Sequence, residues 1–231
     1  MTIKAVLFDF SGTLCRTDPV AAWLRSALDT AGVVLSESEF TRCEQELTAA
    51  GALPGGPPPQ RIPPELAGLW AKRDESADHH RAAFTGLARQ VALPDPGLYD
   101  LLYDRHMASD AWSPYPDAVE VLRELRGRGI GVAVVSNIGW DLRPVFRAHG
   151  LDRYVEHYAL SYEHGIQKPD VRLFRVACDA LGRDPHDVLM VGDDRRADGG
   201  AAGLGCAVHF VDPLPVRERP GGLRPVLELV G

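Results

Sequence analysis

The chain has 231 residues, of which 45% are apolar and 25% charged, and its formal net charge is −7. A chain of this size and balance buries a core without staples, which excludes disordered, collagen-like and disulfide-scaffold classes. The acidic balance carries no basic stripe for nucleic acid, and no run approaches the ~18 consecutive apolar residues of a membrane span.

In chain order, Ile3 to Phe8 reads as a buried parallel strand. It runs into Asp9-Phe10-Ser11-Gly12-Thr13. The first aspartate arrives too soon for a signal-peptide core, so a cytoplasmic protein is expected. Helical spacing begins at Pro19, with Val20, Trp23, Leu24, Ala27 and Leu28 on one face and Gly32 as the stop. Ser36-Glu37-Ser38-Glu39 has the form of a capping box opening a second helix. Six prolines between Pro54 and Pro64 require a loop. Interrupted helix runs from about Glu65 to His106, with a break at Pro94-Asp95-Pro96-Gly97.

Beyond Trp112 the pattern changes. Pro116 opens a helix that Gly127 and Gly129 close. Strands are expected at Ile130–Val135, near His157–Leu160, at Val188–Val191 and at Ala207–Val211. Helices fall between them, one ending near Gly150 and another starting at Pro169. Strands alternating with helices predict an α/β fold with a parallel, Rossmann-like sheet. Residues 1–15 and 113–231 are read as this α/β core. Residues 16–112 are read as an all-α cap inserted after the first strand, far longer than a crossover needs.

Ligands of open parallel sheets lie outside the carboxyl ends of the strands. The residues predicted there are Asp9, Ser11 and Thr13, then Ser136 and Asn137, then Lys168, then Asp193, Asp194 and Asp198. Lys168 is one of only three lysines, with Lys4 and Lys72, against 22 arginines. Carboxylates with a backbone carbonyl suit Mg²⁺. An aspartate can attack as a nucleophile, and a lysine with a hydroxyl can hold a transferring phosphoryl group. Cys15, Cys43, Cys178 and Cys206 form no C-x-x-C pair and are expected as free thiols.

Together these segments resemble the haloacid dehalogenase superfamily, whose members are mostly phosphohydrolases with a helical cap after the first motif. Ser136-Asn137 is similar to the second motif, Lys168-Pro169 to the third, and Gly192-Asp193 through Asp198 to the fourth. The resemblance implies a Mg²⁺-dependent hydrolase of a small phosphorylated molecule, active as a monomer or homodimer. Asp9 would be the nucleophile. Asp9, the Ser11 carbonyl and Asp193 would hold Mg²⁺, assisted by Asp194 or Asp198. Thr13, Ser136, Asn137 and Lys168 would hold the phosphoryl group.

The first motif departs from the family pattern. Phosphatases of the superfamily carry Asp-x-Asp there, and the second Asp is the general acid and base. Here that position is Ser11. Acid–base catalysis is worth roughly 10²–10⁴ in rate, so weak activity is expected on alkyl phosphates, and less loss on aryl or acyl phosphates. Asp18, His79 and His80 are candidate substitutes from the cap. Arg16 and the tryptophans Trp23, Trp70, Trp112 and Trp140 are candidate substrate contacts. Three alternatives stay open: carbon–phosphorus cleavage like that of phosphonoacetaldehyde hydrolase, through Lys72; 2-haloacid dehalogenation, against which stand Asp193, Asp194 and Phe174; and a non-catalytic binding module.

Overall fold

The structure is a computed structural model that describes residues 2–231. Five parallel strands form the main sheet: β1 (Ala5–Phe8), β4 (Gly131–Ser136), β5 (His157–Leu160), β6 (Val188–Gly192) and β7 (Ala207–Phe210), in the order β5-β4-β1-β6-β7. β1 is central. Its Ala5 stands opposite Gly131 of β4 and Val188 of β6, and its Phe8 opposite Val134 and Val191. The chain order of strands reverses at β1, so the crevice at its carboxyl end lies between the ends of β4 and β6. Doubly wound sheets bind ligands at such a point.

The apolar runs read from the sequence become strands buried on both faces. Alternate residues feed two cores, as the period-2 geometry of a strand requires. Val6, Phe8, Val132, Val134, Leu189 and Val191 join Val121, Leu122, Leu125 and Phe146 on one face. Ala5, Leu7, Ala133, Val135, Val188 and Met190 join Leu173, Phe174 and Ala177 on the other. The first face receives the helix Ala118–Gly127, which starts two residues after Pro116, and the second receives Val171–Ala180.

A separate apolar cluster lies wholly within residues 20–102, including Trp23, Leu24, Leu28, Leu47, Leu87 and Leu102. It joins the helices Val20–Ala31, Glu37–Ala50, Ala77–Ala88 and Leu98–Met107. The first of these buries the spacing read from the sequence and ends at Gly32. The second has the expected capping box: Ser36 accepts from the Glu39 amide, and the Glu39 carboxylate accepts from the Ser36 amide.

One element has no sequence signal. Two three-residue strands, β2 (Cys15–Thr17) and β3 (Trp112–Pro114), pair antiparallel, with Thr17 opposite Trp112. Three residues are too few to show a period. The ribbon brings the two ends of the 18–111 segment together beside the first motif. No helix among the described residues is long and apolar enough to cross a membrane.

Candidate active site

The site begins with β1, whose hydrogen bonds deliver Asp9 to the sheet edge. The Asp9 amide donates to Val191 O of β6 at 2.9 Å. The chain then turns sharply, and the amides of Leu14 and Cys15 both donate to Phe10 O. Gly12 lies at φ +84°, and a Cβ there would stand 2.6 Å from Asp193 Oδ2. Only glycine fits this left-handed position against a carboxylate.

Lys168 is buried at the centre. Its Nζ donates to Asp9 Oδ1 at 2.7 Å, to Asp198 Oδ1 at 2.6 Å and to Val135 O at 2.9 Å, so all three ammonium donors are used. Asp9, Asp193 and Asp198 offer oxygens that all lie within 4.8 Å of one another. Thr13 Oγ1 sits between two of them, 3.4 Å from Asp9 Oδ2 and 3.3 Å from Asp193 Oδ1.

Three carboxylates therefore crowd together while Lys168 is ion-paired to two of them, Asp9 and Asp198. Burial pushes Asp9 from the usual 3.8 up to about 6; Lys168 pulls the other way and Asp193 adds to the rise. Burial likewise lifts Asp198 to about 6, opposed by Lys168 and helped by Asp9. Burial and Asp198 raise Asp193. Burial alone would lower Lys168, but Asp198 and Asp9 overcome it, and its pKa is raised.

This donor set suits a hard divalent cation, which takes carboxylate and carbonyl oxygens and would relieve the surplus negative charge. Asp9, Asp193 and the Ser11 carbonyl would be its ligands. Asp198 would stand behind them, with one oxygen on Lys168 and the other on the Asp194 amide at 2.9 Å.

Two residues expected at the site have other partners. The Asn137 amide is spent on the Lys168 backbone, donating to its carbonyl at 3.0 Å and accepting from its amide at 2.6 Å. Asparagine offers both a donor and an acceptor, so this side chain fixes the Lys168 loop. Asp194 is exposed, and its Oδ1 accepts from the amides of Arg196 and Ala197 at 2.8 and 2.9 Å. It caps its own turn, as aspartates in loops commonly do. Ser136 is buried at the end of β4, opposite Leu160.

The candidate substitutes for the missing acid also have other partners. Asp18 pairs with Arg105 Nη2 at 2.8 Å. His79 Nδ1 lies 3.2 Å from Lys72 O. His80 is buried, with Nδ1 2.7 Å from the Tyr103 hydroxyl; burial first, then His106, lowers its pKa well below the usual range. Lys72 ends a short helix with its side chain exposed, not in the desolvated pocket that activates a Schiff-base lysine. Trp23, Trp112 and Trp140 are buried packing residues, and Trp70 packs its ring against Phe84. Arg16 is half-buried in β2.

The structure also gathers residues that no motif marked. Gln167 ties the loop before Lys168 to the 16–112 segment: its Nε2 donates to Ala71 O at 2.8 Å, and its Oε1 accepts from the Asp74 amide at 3.3 Å. Gly55, in the proline-rich loop, lies at φ +75°, where a Cβ would stand 2.6 Å from Ser11 Oγ and 2.9 Å from the Trp112 ring. The Ser11 hydroxyl thus faces this loop. Gly55→Ala is expected to cost about 1–3 kcal/mol in thermal unfolding, through the left-handed backbone and the crowded Cβ together. A variant as stable as the wild type would show that the loop moves freely over Ser11.

Residues 3–203 match the model of a hydrolase family described as haloacid dehalogenase-like hydrolase. The chain is 32% identical over 224 residues to phosphoserine phosphatase of Thermus thermophilus, covering 91% of this chain and 89% of that protein. It is 30% identical over 207 residues to (S)-2-haloacid dehalogenase 4A of Burkholderia cepacia, covering 88% and 80%. The crystal structure of a dehalogenase with an intermediate complex superposes with a TM-score of 0.69 at 25% identity, over 99% of this chain and 97% of that one. The chain belongs to the haloacid dehalogenase-like hydrolases.

Proposed function

We propose that the protein is a Mg²⁺-dependent phosphohydrolase of a small phosphorylated metabolite, with Asp9 as nucleophile. The observation that carries this reading is the surplus of carboxylate: Asp9, Asp193 and Asp198 converge, and Lys168 is ion-paired to Asp9 and Asp198 alone. A phosphoryl group brings more negative charge, so a cation is required to bind it there. Bound Mg²⁺ would neutralise Asp9 and Asp193 and polarise the phosphoryl oxygens.

Lys168 holds Asp9 Oδ1, which leaves Oδ2 as the attacking oxygen. Attack on phosphorus forms an aspartyl-phosphate and expels the alcohol or carboxylate. Ser136, at the end of β4, would donate to a phosphoryl oxygen. Water then hydrolyses the acyl phosphate and regenerates Asp9. Ser11 supplies no carboxylic acid for the leaving group, so acyl and aryl phosphates, whose carboxylate or phenolate departs as a stable anion without a proton, are the favoured substrates. Ser11→Asp is expected to raise turnover of an alkyl phosphate at least ~10-fold, a part of the roughly 10²–10⁴ that acid–base catalysis contributes. Acetyl phosphate turnover should change little. Equal effects on both would contradict a missing-acid account.

A second reading, 2-haloacid dehalogenation, is favoured by the likeness to a haloacid dehalogenase. It uses the same Asp9 to displace halide and needs no cation. The two separate in one experiment. Phosphate release from acetyl phosphate and p-nitrophenyl phosphate, and chloride release from 2-chloropropionate, are each measured with Mg²⁺ and with a chelator. Mg²⁺-dependent phosphate release without chloride release supports the phosphohydrolase. Chloride release that survives the chelator, without phosphate release, overturns it.

A further inference from the structure

The last part of the chain, beyond the 3–203 segment that the family model matches, returns to the first motif through a single side chain. After β7 the backbone runs to a short 3₁₀ turn at Val216–Glu218, then to Arg219, and ends in the helix Pro225–Leu229. Arg219 is 5% exposed. Its Nη1 donates to Gly12 O at 2.7 Å and to Asp212 O at 3.0 Å, and its Nη2 donates to Thr13 O. The guanidinium carbon lies 3.1 Å from the centroid of the Tyr115 ring. The Tyr115 hydroxyl in turn donates to Leu214 O at 2.7 Å.

This is an unusual use of a buried cation. Arg219 makes no ion pair with a carboxylate among the described residues, and its Nε has no partner. Burial lowers its pKa, while Tyr115, Asp117 and Asp193 pull the other way. Buried charges are normally paired, because desolvation is costly. Tail attachment alone does not call for one, since Tyr115 and Asp117 also hold the tail: Asp117 Oδ2 accepts from the Leu223 amide at 2.7 Å.

What Arg219 grips is the loop that carries the chemistry. Gly12 is pressed against Asp193 on one side and held by Arg219 through its carbonyl. Thr13 places its hydroxyl between Asp9 and Asp193 while its carbonyl is held by the same guanidinium. Two adjacent carbonyls converging on one rigid planar fork define a peptide orientation that a single point charge cannot. We infer that Arg219 is a positioning residue for the reaction: its guanidinium sets the Gly12–Thr13 backbone and, through it, the placement of Asp9, Thr13 and Asp193.

The inference rests on the phosphohydrolase reading for its kinetic arm and is independent of it for its structural arm. In the kinetic arm, Asp9-dependent phosphate release from acetyl phosphate is measured for wild type, Arg219→Ala, Arg219→Lys and Tyr115→Phe, each checked by thermal melting to be folded. Misplacement of reacting groups by about 1 Å can cost on the order of 10²-fold. A fall of that order in kcat is therefore expected for Arg219→Ala, with little change in KM, poor recovery in Arg219→Lys and partial rescue by added guanidinium ion. Tyr115→Phe keeps the aromatic face but loses the tail hydrogen bond, and kcat should be near wild type.

In the structural arm, amide hydrogen exchange followed by mass spectrometry is expected to be faster over residues 10–15 in both Arg219 variants and unchanged in Tyr115→Phe. A folded Arg219→Ala with wild-type kcat and unaltered exchange in that segment would overturn the inference. So would Tyr115→Phe losing as much kcat as Arg219→Ala, which would reduce Arg219 to a tail anchor. If the wild type releases no phosphate, the phosphohydrolase reading fails, and the exchange data alone decide the role of Arg219.

Discussion

Asp9→Asn is expected to abolish turnover and to stabilise the metal-free protein at the same time. The two effects have one origin. Removal of an attacking nucleophile costs on the order of 10⁶ in kcat where it has been measured, and a loss of at least ~10⁴ is expected here. The stabilisation follows from charge. In the unfolded chain Asp9 ionises near its usual 3.8, whereas in the folded protein burial and Asp193 hold its proton to about 6. The folded state therefore binds more protons between these values, and stability falls as pH rises through the interval. The penalty is absent below about pH 4, grows to about pH 6 and is full above it. A neutral amide escapes it, and the gain at neutral pH in chelator should be about 1–3 kcal/mol, following the rise from 3.8 to about 6. Calorimetric melts of wild type and Asp9→Asn in chelator at about pH 4 and about pH 7 check this. A variant less stable than the wild type at both would contradict the crowding of charge around Asp9.

Lys168→Met is expected to have the opposite effect on stability. Lys168 is the partner of both Asp9 and Asp198, at 2.7 and 2.6 Å, and it also satisfies Val135 O. Breaking a buried pair by removing one partner costs about 3–5 kcal/mol, because the remaining charge is stranded. The stranded carboxylates can take up protons instead, and their pKa values would climb above the present value of about 6. The destabilisation should therefore be small near pH 4 and reach the full figure near neutrality. Denaturant unfolding at the two pH values measures it. A uniform loss across pH would mean that the aliphatic stem, not the charge, is what the site requires. Turnover should fall with stability at neutral pH, and excess divalent cation should recover stability without recovering turnover.

The α/β core was legible because each strand is a short apolar run ending in a polar turn. Ile3–Phe8, Ile130–Val135, His157–Leu160, Val188–Val191 and Ala207–Val211 all became strands of one parallel sheet, each within about two residues. The order of motifs along the chain carried the family as well. What escaped was contact between distant segments. The β2–β3 ribbon joins residues 15–17 to 112–114, and nothing in either triplet announces the other. Asn137 and Asp194 show the same limit at the site. Their residue types suit phosphate or metal binding, but the backbone nearby offers them partners first. Gln167, Gly55 and Arg219 lie in loops, where period carries no information, and only their packing marks them. Of the tryptophans that are candidate substrate contacts, Trp23 and Trp112 are almost wholly buried and fill core volume, the commoner use of aromatic residues at such spacings.

The most direct test of the central claim is to catch Asp9 in the act. Wild-type protein is mixed with acetyl phosphate and, separately, with 2-chloropropionate, in Mg²⁺ or in chelator. The reaction is quenched in acid, and the peptide that carries Asp9 is weighed by mass spectrometry. A phosphoryl adduct on Asp9 is expected from acetyl phosphate, formed in Mg²⁺ and absent in chelator, with no adduct from the haloacid. An alkyl ester on Asp9 from 2-chloropropionate in chelator, with no phosphoryl adduct under either condition, would contradict it and make the protein a dehalogenase.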